Sequence, residues 1–283
     1  MDLWYTEITN ETHGLTLKVK RPLFHAETEF QTIDILETWY HGNLMVIDGV
    51  VMLTENDEFI YHESIAHVPM QLLEKPERVL VIGGGDGGTA REILKYPSVK
   101  EVVMVEIDAG VVEAAKEFFP GLAVSFKDPK LSLRIMDGAK FVKDSAGGAF
   151  DLVIVDSTDP VGPGEVLFSE EFYRDCGRSL KPGGALVAQT ESPFDRARRP
   201  VINKIYKNLR AAFSKVSMYL ASIPNYPFGI WSFTFSSNTI DPAKDPFRAP
   251  SVPNGLKYYN RELGRGVFML PNYVGEIIDE RVR

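Results

Sequence analysis

Acidic residues follow one expected strand after another in this chain: Asp86, then Glu106 with Asp108, Asp137 with Gly138, and Asp156 with Asp159, after which comes Gln189. Ligands of open parallel sheets lie beyond the carboxyl ends of the strands, so carboxylates gathered there describe a site for cations. The first of them sits in Arg-Val-Leu-Val-Ile-Gly-Gly-Gly-Asp-Gly-Gly, residues 78–88. Its apolar half suits a buried strand, and its glycines let the chain turn tightly against a ligand. Gly83, Gly85 and Gly88 match G-x-G-x-x-G, and Glu106 follows about 20 residues on, where an acid takes ribose hydroxyls. That pattern also fits NAD. Asp86 argues against a dinucleotide, because a pyrophosphate needs backbone N–H groups and no negative charge at that point. A nucleoside-type ligand carrying positive charge suits the loop better. Clustered carboxylates also raise the prospect of a divalent metal, but no histidine pair lies among them in sequence, and no metal is expected.

The elements that position these residues are legible in the hydrophobic pattern. Residues 1–55 alternate in strand fashion, with Asp48-Gly49 between two apolar runs as a hairpin turn, and predict a small antiparallel β domain. Residues 56–76 predict a linking helix capped by Asn56 or Asp57, with Ile60, Ile65, Ala66 and Met70 inward and Pro76 ending the connection. From residue 77 to 283 strands and helices alternate. The strands are 79–82, 102–105, 132–135, 151–155 and 185–189, and the helices are 89–94, 109–119, 137–143, 169–180 and 195–213. Two further strands, 216–223 and 230–236, finish the sheet as an antiparallel pair, which predicts an α/β, Rossmann-like, methyltransferase-type doubly wound sheet. A loop over 241–253, a helix over 258–263 and a strand over 267–270 complete the reading.

Composition bounds the function classes. With 283 residues, 44% of them hydrophobic, the chain can bury a sizeable core, and its net charge of −8 argues against nucleic acid or an anionic membrane as partner. No membrane-spanning run and no basic leader segment are present in the sequence, so a cytoplasmic enzyme is expected. The single cysteine, Cys176, excludes an intrachain disulfide and reads as a helix core position. His25 and His41 read as surface or loop positions, and the basic run Arg196-Ala197-Arg198-Arg199 as a solvated helix start.

The segment Asp156-Ser157-Thr158-Asp159-Pro160-Val161-Gly162-Pro163, with the glycine loop and Tyr61-His62-Glu63, resembles the polyamine aminopropyltransferases, the bacterial spermidine synthases in particular. Leu3-Trp4-Tyr5, residues 27–31 and 44–58, Met136-Asp137-Gly138, Gln189-Thr190 and residues 223–229 extend the resemblance over nearly the whole chain. It implies transfer of an aminopropyl group from decarboxylated S-adenosylmethionine, a co-substrate rather than a resident cofactor, to an amine, typically putrescine. It further implies that Glu106 holds the ribose and Asp137 with Gly138 the adenine edge, beside Gly83 and Gly85. Gln31, His62 and Asp86 take the donor's sulfonium and aminopropyl end, and Pro163 packs near the nucleoside. Asp156 is then the acid–base residue with Tyr61 beside it, and Asp159, Gln189 and Tyr226 surround the acceptor. Trp231 and Phe228 either narrow the acceptor pocket or pack in the core. A homodimer or homotetramer is implied as well.

The residues agree with this chemistry on their own terms. Desolvating a diamine and a sulfonium donor with a free ammonium requires paired carboxylates. An alkyl ammonium near 10.4 does not pass its proton to an ordinary Asp near 3.9, since the ~6.5-unit gap corresponds to roughly 9 kcal/mol. The amine must therefore react in its neutral form, aimed by hydrogen bonds to Asp156 and Tyr61. Three rivals remain: the same transfer to agmatine, cadaverine or a longer amine; methyl transfer from S-adenosylmethionine; and a catalytically silent nucleoside-binding scaffold. An NAD-dependent oxidoreductase is the least favoured.

Overall fold

A computed structural model describes residues 2–10, 12–160, 162–245, 247–249 and 251–278, with backbone alone at Gly162 and Pro163. The alternating N-terminal residues form five antiparallel strands in sequential order: β1 (Leu3–Asn10), β2 (His13–Glu27), β3 (Thr32–Thr38), β4 (Asn43–Ile47) and β5 (Val50–Thr54). Asp48 and Gly49 turn β4 into β5, both at positive φ, as the hairpin signature requires. One face of this sheet, with Ile33, Ile35, Met45, Ile47 and Leu53, packs on helix α3 (Ala109–Phe118) through Val111, Ala114 and Ala115.

Between the sheets runs α1 (Glu58–Leu72). Ile65, Ala66 and Met70 point inward, as their spacing requires, and the partly buried Ile60 packs on the same core. The helix is buried almost all round rather than serving as an exposed connector. Asp57 precedes it without capping it, because its carboxylate accepts from Thr54 Oγ1 (2.6 Å) and from the Asn225 backbone N–H (3.0 Å) instead.

The larger sheet comprises β6 (Arg78–Gly83), β7 (Glu101–Glu106), β8 (Leu131–Ile135), β9 (Phe150–Asp156), β10 (Leu180–Gln189), β11 (Lys215–Ser222) and β12 (Ile230–Ser237). Its order is β11-β12-β10-β9-β6-β7-β8, and β12 runs antiparallel to both neighbours. The strand order reverses between β6 and β9, where Gly83 faces Asp156 in register, and that switch point is where such sheets open a crevice. Around it lie α2 (Gly88–Leu94), α3, α4 (Pro120–Ala123), α5 (Gly138–Asp144), α6 (Glu170–Ser179) and α7 (Arg199–Ala212), followed by α8 (Arg261–Gly266) and α9 (Asn272–Ile278). Cys176 is fully buried in the α6 core, as expected.

The C-terminal third departs from the sequence expectation in three places. Helix α7 begins at Arg199 rather than at 195, because Pro200 seeds a helix start and Asp195 closes a turn onto the Ala197 N–H (2.9 Å). Helix α8 begins at Arg261, where the Asn260 side chain accepts from Leu263 N–H (2.8 Å). Residues 267–270 form no strand. Val267 and Phe268 anchor an irregular segment on the main core, and the chain then enters α9, which the sequence reading missed.

Candidate active site

Glycine conformation shapes the loop after β6. Gly83 and Gly84 both lie at positive φ, and the Gly84 N–H donates to the Asp156 carbonyl (2.8 Å), tying the ends of β6 and β9 together. A Cβ on Gly85 would fall 2.8 Å from Glu106 Oε2, so only glycine lets the loop sit on that carboxylate. Glu106 accepts N–H bonds from Gly85 (3.2 Å) and Asp108 (3.0 Å). Burial outweighs those donors and raises its pKa to about 7.

The strand-end acids do converge. A cavity of about 330 Å³ is lined by Gln31, Tyr61, His62, Gly83, Gly85, Asp86, Glu106, Asp137, Gly138, Asp156 and Tyr226, among others. Two of the acids also serve as helix caps: Asp108 accepts from Gly110 N–H (2.8 Å) and Asp137 from Lys140 N–H (3.1 Å). Asp108 further accepts from Gln31 Nε2 (3.0 Å) and Thr28 Oγ1 (2.8 Å), which fastens the N-terminal sheet over the cavity.

At the cavity's inner end Asp156 accepts from Tyr61 OH at Oδ1 (2.7 Å) and from Thr89 Oγ1 at Oδ2 (2.6 Å). Burial, reinforced by the charge of Asp86, raises its pKa despite those donors and His62. The Tyr61 hydroxyl is held well above its usual pKa by burial and then by Asp156, so it stays a donor. Thr89 did not stand out in the sequence, although its place just after the glycine loop was a signal.

His62 lies between two carboxylates, with Nδ1 2.6 Å from Glu58 Oε2 and Nε2 3.1 Å from Asp86 Oδ1. Burial alone would lower its pKa, but Asp86 and Glu58 hold it well above the ordinary value, as an imidazolium. Glu58 is drawn down to about 2 against its burial by His62 and Arg91. His62, Asp86 and Asp156 offer ligand atoms within 4.8 Å of one another. The fold thus supplies a histidine among the acids, with each ring nitrogen within hydrogen-bond distance of a carboxylate.

A second, smaller cavity of about 110 Å³ adjoins the first, with Met52, Tyr61, Ser157, Thr158 and Tyr226 on the lining of both. Asp159, Gln189, Phe228 and Trp231 line its remainder. Gln189 Nε2 donates to the Ser157 and Thr158 carbonyls (3.2 and 3.3 Å), which steadies the loop after β9. Tyr226 OH donates to the Met52 carbonyl (2.6 Å). Trp231 packs edge-on to Tyr226 (4.9 Å between ring centroids) with its Nε1 buried and unpartnered among the described residues. Glu7, Glu191 and Arg198 also face this cavity, which the sequence reading did not anticipate. The run 196–199 is not simply solvated, because Arg198 turns inward to Asp159. His25 is on the surface, paired with Asp34, and His41 lies in the loop between β3 and β4, where it meets the Asn225 side chain (3.0 Å). The side chain of Pro163 lies outside the described residues.

Comparison with known proteins accounts for both sheets. Residues 58–245 match the family model of the spermine/spermidine synthase domain, and residues 3–55 match that of the spermidine synthase tetramerisation domain, so the chain carries an oligomerisation module. A polyamine aminopropyltransferase of Alkaliphilus metalliredigens is 48% identical, with 99% of each chain covered, and one of Clostridioides difficile is 45% identical over 99% of this chain and all of the other. A spermidine synthase solved in complex with the transition-state analogue AdoDATO superposes with a TM-score of 0.93 at 41% identity, covering 98% of this chain and 95% of that one. The enzyme from Thermotoga maritima gives 0.90 at 40%, covering 98% and 94%. With family models spanning both sheets and relatives matched over nearly the full chain, the chain belongs to the spermine/spermidine synthase family.

Proposed function

We propose that the chain transfers the aminopropyl group of decarboxylated S-adenosylmethionine to putrescine, giving spermidine and methylthioadenosine, with no resident cofactor. The observation that carries this reading is Tyr61, whose ring lines both cavities and whose hydroxyl reaches the buried Asp156. One cavity is large enough for a nucleoside, the other for a short amine, and the carboxylate stands where they meet. Asp86 suits a donor that has lost its carboxylate.

In this assignment the ribose hydroxyls donate to Glu106, and Asp137 with Gly138 faces the adenine edge. Gly83 and Gly85 give the nucleoside close approach. Gln31 and Asp86 take the aminopropyl end. His62, with both nitrogens engaged, holds Asp86 in place rather than touching a cation itself. The acceptor lies among Asp159, Gln189, Tyr226 and Trp231. Its neutral nitrogen donates N–H to Asp156 and Tyr61, which aims the lone pair at the methylene carbon beside sulfur. The N–C bond forms as the C–S bond breaks, its electron pair neutralises the sulfonium, and the new secondary ammonium then loses its extra proton.

No helix among the described residues is long and apolar enough to cross a membrane. We place the enzyme in the cytoplasm, free of nucleic acid and membrane, as a homodimer or homotetramer. Trp4 on β1 and Trp39 and Tyr40 after β3 stay exposed on the N-terminal sheet of the single chain, where a partner would cover them.

The test is mass spectrometry after incubation with decarboxylated or ordinary S-adenosylmethionine and a panel of putrescine, cadaverine, agmatine and spermidine. Methylthioadenosine and spermidine are expected from putrescine, with kcat/KM rising as pH increases from 7 to 9. A methylated product from the ordinary donor alone would overturn the assignment. Glu106 adds a separate pH dependence. Its pKa of about 7 leaves it protonated below that value, and a protonated carboxyl loses much of its pull on ribose hydroxyls. The Kd for methylthioadenosine is expected to rise by up to about tenfold per pH unit on going below 7. Calorimetry that found Kd flat from pH 5 to 8 would mean that Glu106 does not titrate across that range on nucleoside binding.

A further inference from the structure

We propose that Arg198 sets the upper length of the acceptor amine by occupying the outer end of the second cavity, where a longer polyamine would place an additional cation. This rests on the acceptor reading above. The inner end of the cavity is the part shared with the nucleoside cavity, at Tyr61, Ser157 and Thr158. Away from it the wall carries Glu7, Asp159, Glu191 and Asp195, and one cation, Arg198.

The outer end is built rather than incidental. Glu191 is 2% exposed, and its Oε1 has no hydrogen-bond partner. The backbone holds it at φ 69, a left-handed conformation that favours glycine. Its carbonyl accepts from Ser232 N–H (3.0 Å) and Ser232 Oγ (2.8 Å), and its own N–H donates to Gln189 Oε1 (3.2 Å), which fixes the turn. Burial, and then the charge of Asp159, raises the Glu191 carboxyl to about 8. Glu7, 5% exposed and accepting from Val51 N–H (2.8 Å), is raised by burial in the same way, with Arg198 opposing.

The Arg198 guanidinium reaches this group only loosely, with Nη2 3.4 Å from Asp159 Oδ2 and Nη1 3.6 Å from Glu191 Oε1. It supplies countercharge without satisfying Glu191. A short diamine ends its second ammonium near Asp159, where the acids outnumber the arginine. A triamine must carry a further cation to the place of the guanidinium, and like charges brought together in a partly desolvated site are costly. Removing the guanidinium vacates the place beside Asp159 and Glu191, where an ammonium of the longer amine can stand in its stead.

The experiment measures kcat/KM for spermidine and for putrescine at saturating decarboxylated S-adenosylmethionine. Wild type is compared with Arg198→Met and Arg198→Gln, which lose the charge, and with Arg198→Lys, which keeps it. The spermidine-to-putrescine ratio is expected to rise at least about tenfold in the two neutral variants and to stay within about threefold of wild type in Arg198→Lys. A purely structural role would lower both activities together and leave the ratio unmoved. An unchanged ratio in whichever neutral variant folds overturns the proposal, and so does a lysine variant that behaves like methionine. Wild-type protein that transfers to no amine would instead overturn the underlying functional reading, and this proposal with it.

Discussion

Asp156→Asn is expected to lower kcat by about 10³ while changing the Kd for methylthioadenosine by less than about threefold. The substitution keeps the side chain's volume and its place at the end of β9, so the nucleoside cavity keeps its shape. What changes is hydrogen-bond polarity. Asp156 accepts from Tyr61 at one oxygen and from Thr89 at the other, and each oxygen keeps capacity to accept an N–H from the amine. An amide has one acceptor oxygen, so either Tyr61 or Thr89 faces an NH₂ group and must rotate its hydroxyl proton away and accept from it instead. The negative charge that stabilises the ammonium formed with the N–C bond is lost as well. Stopped-flow or steady-state kinetics paired with calorimetric binding of methylthioadenosine separates the two effects. A kcat within tenfold of wild type, with a large loss of nucleoside affinity, would reassign Asp156 to donor binding.

The raised pKa of Asp156 bears on the same step. Burial and Asp86 make it a stronger base than a solvated aspartate, narrowing its mismatch with an alkyl amine without closing it. The enzyme still depends on the amine's arriving neutral, and the strand-end acids then orient it and stabilise the positive charge it gains on attack. Tyr61 fits that division of labour, since its hydroxyl donates to Asp156 and can still accept from the amine.

The parallel sheet made half of this site readable in the sequence. Once 79–82, 102–105 and 151–155 are strands, their order and direction bring the ends of β6, β7 and β9 to one edge, so Asp86, Glu106 and Asp156 had to be near neighbours. The other half depends on where side chains turn after long loops. Tyr226 reaches the Met52 carbonyl, and Asn225 reaches Asp57, across most of the chain, and no periodicity records such a pairing. Arg198 was misread because a basic run beside a helix start is usually solvated, and only the Asp195 turn points its third residue into the cavity. Helix α9 was missed for a similar reason. The apolar residues 267–270 suit a strand as well as an irregular anchor, and α9 is short, with only Val274, Ile277 and Ile278 burying its inner face.

The tightest dependence of chemistry on backbone lies at Gly83. Gly83→Ala is expected to destabilise the fold by about 3 kcal/mol or more and to lower kcat/KM by at least about 10². Gly83 sits at φ +82, and a Cβ there would meet the Asp156 carbonyl oxygen at 2.1 Å and its carbonyl carbon at 2.9 Å. These are backbone atoms in register across β6 and β9, so no side chain can move aside. Relief requires the two strand ends to part, which breaks the bond from Gly84 N–H to the same carbonyl and shifts the residue that aims the amine. Gly148→Ala supplies the contrast. It shares the positive φ, at +68, but nothing lies within 4 Å of the added carbon. That variant carries only the conformational penalty, about 1–2 kcal/mol, and should keep wild-type kcat/KM. Thermal unfolding and kinetics on the two proteins therefore separate strain from contact. If both lose stability but neither loses activity, the junction of β6 and β9 does not position Asp156, and the catalytic geometry must be held by Tyr61 and Thr89 alone.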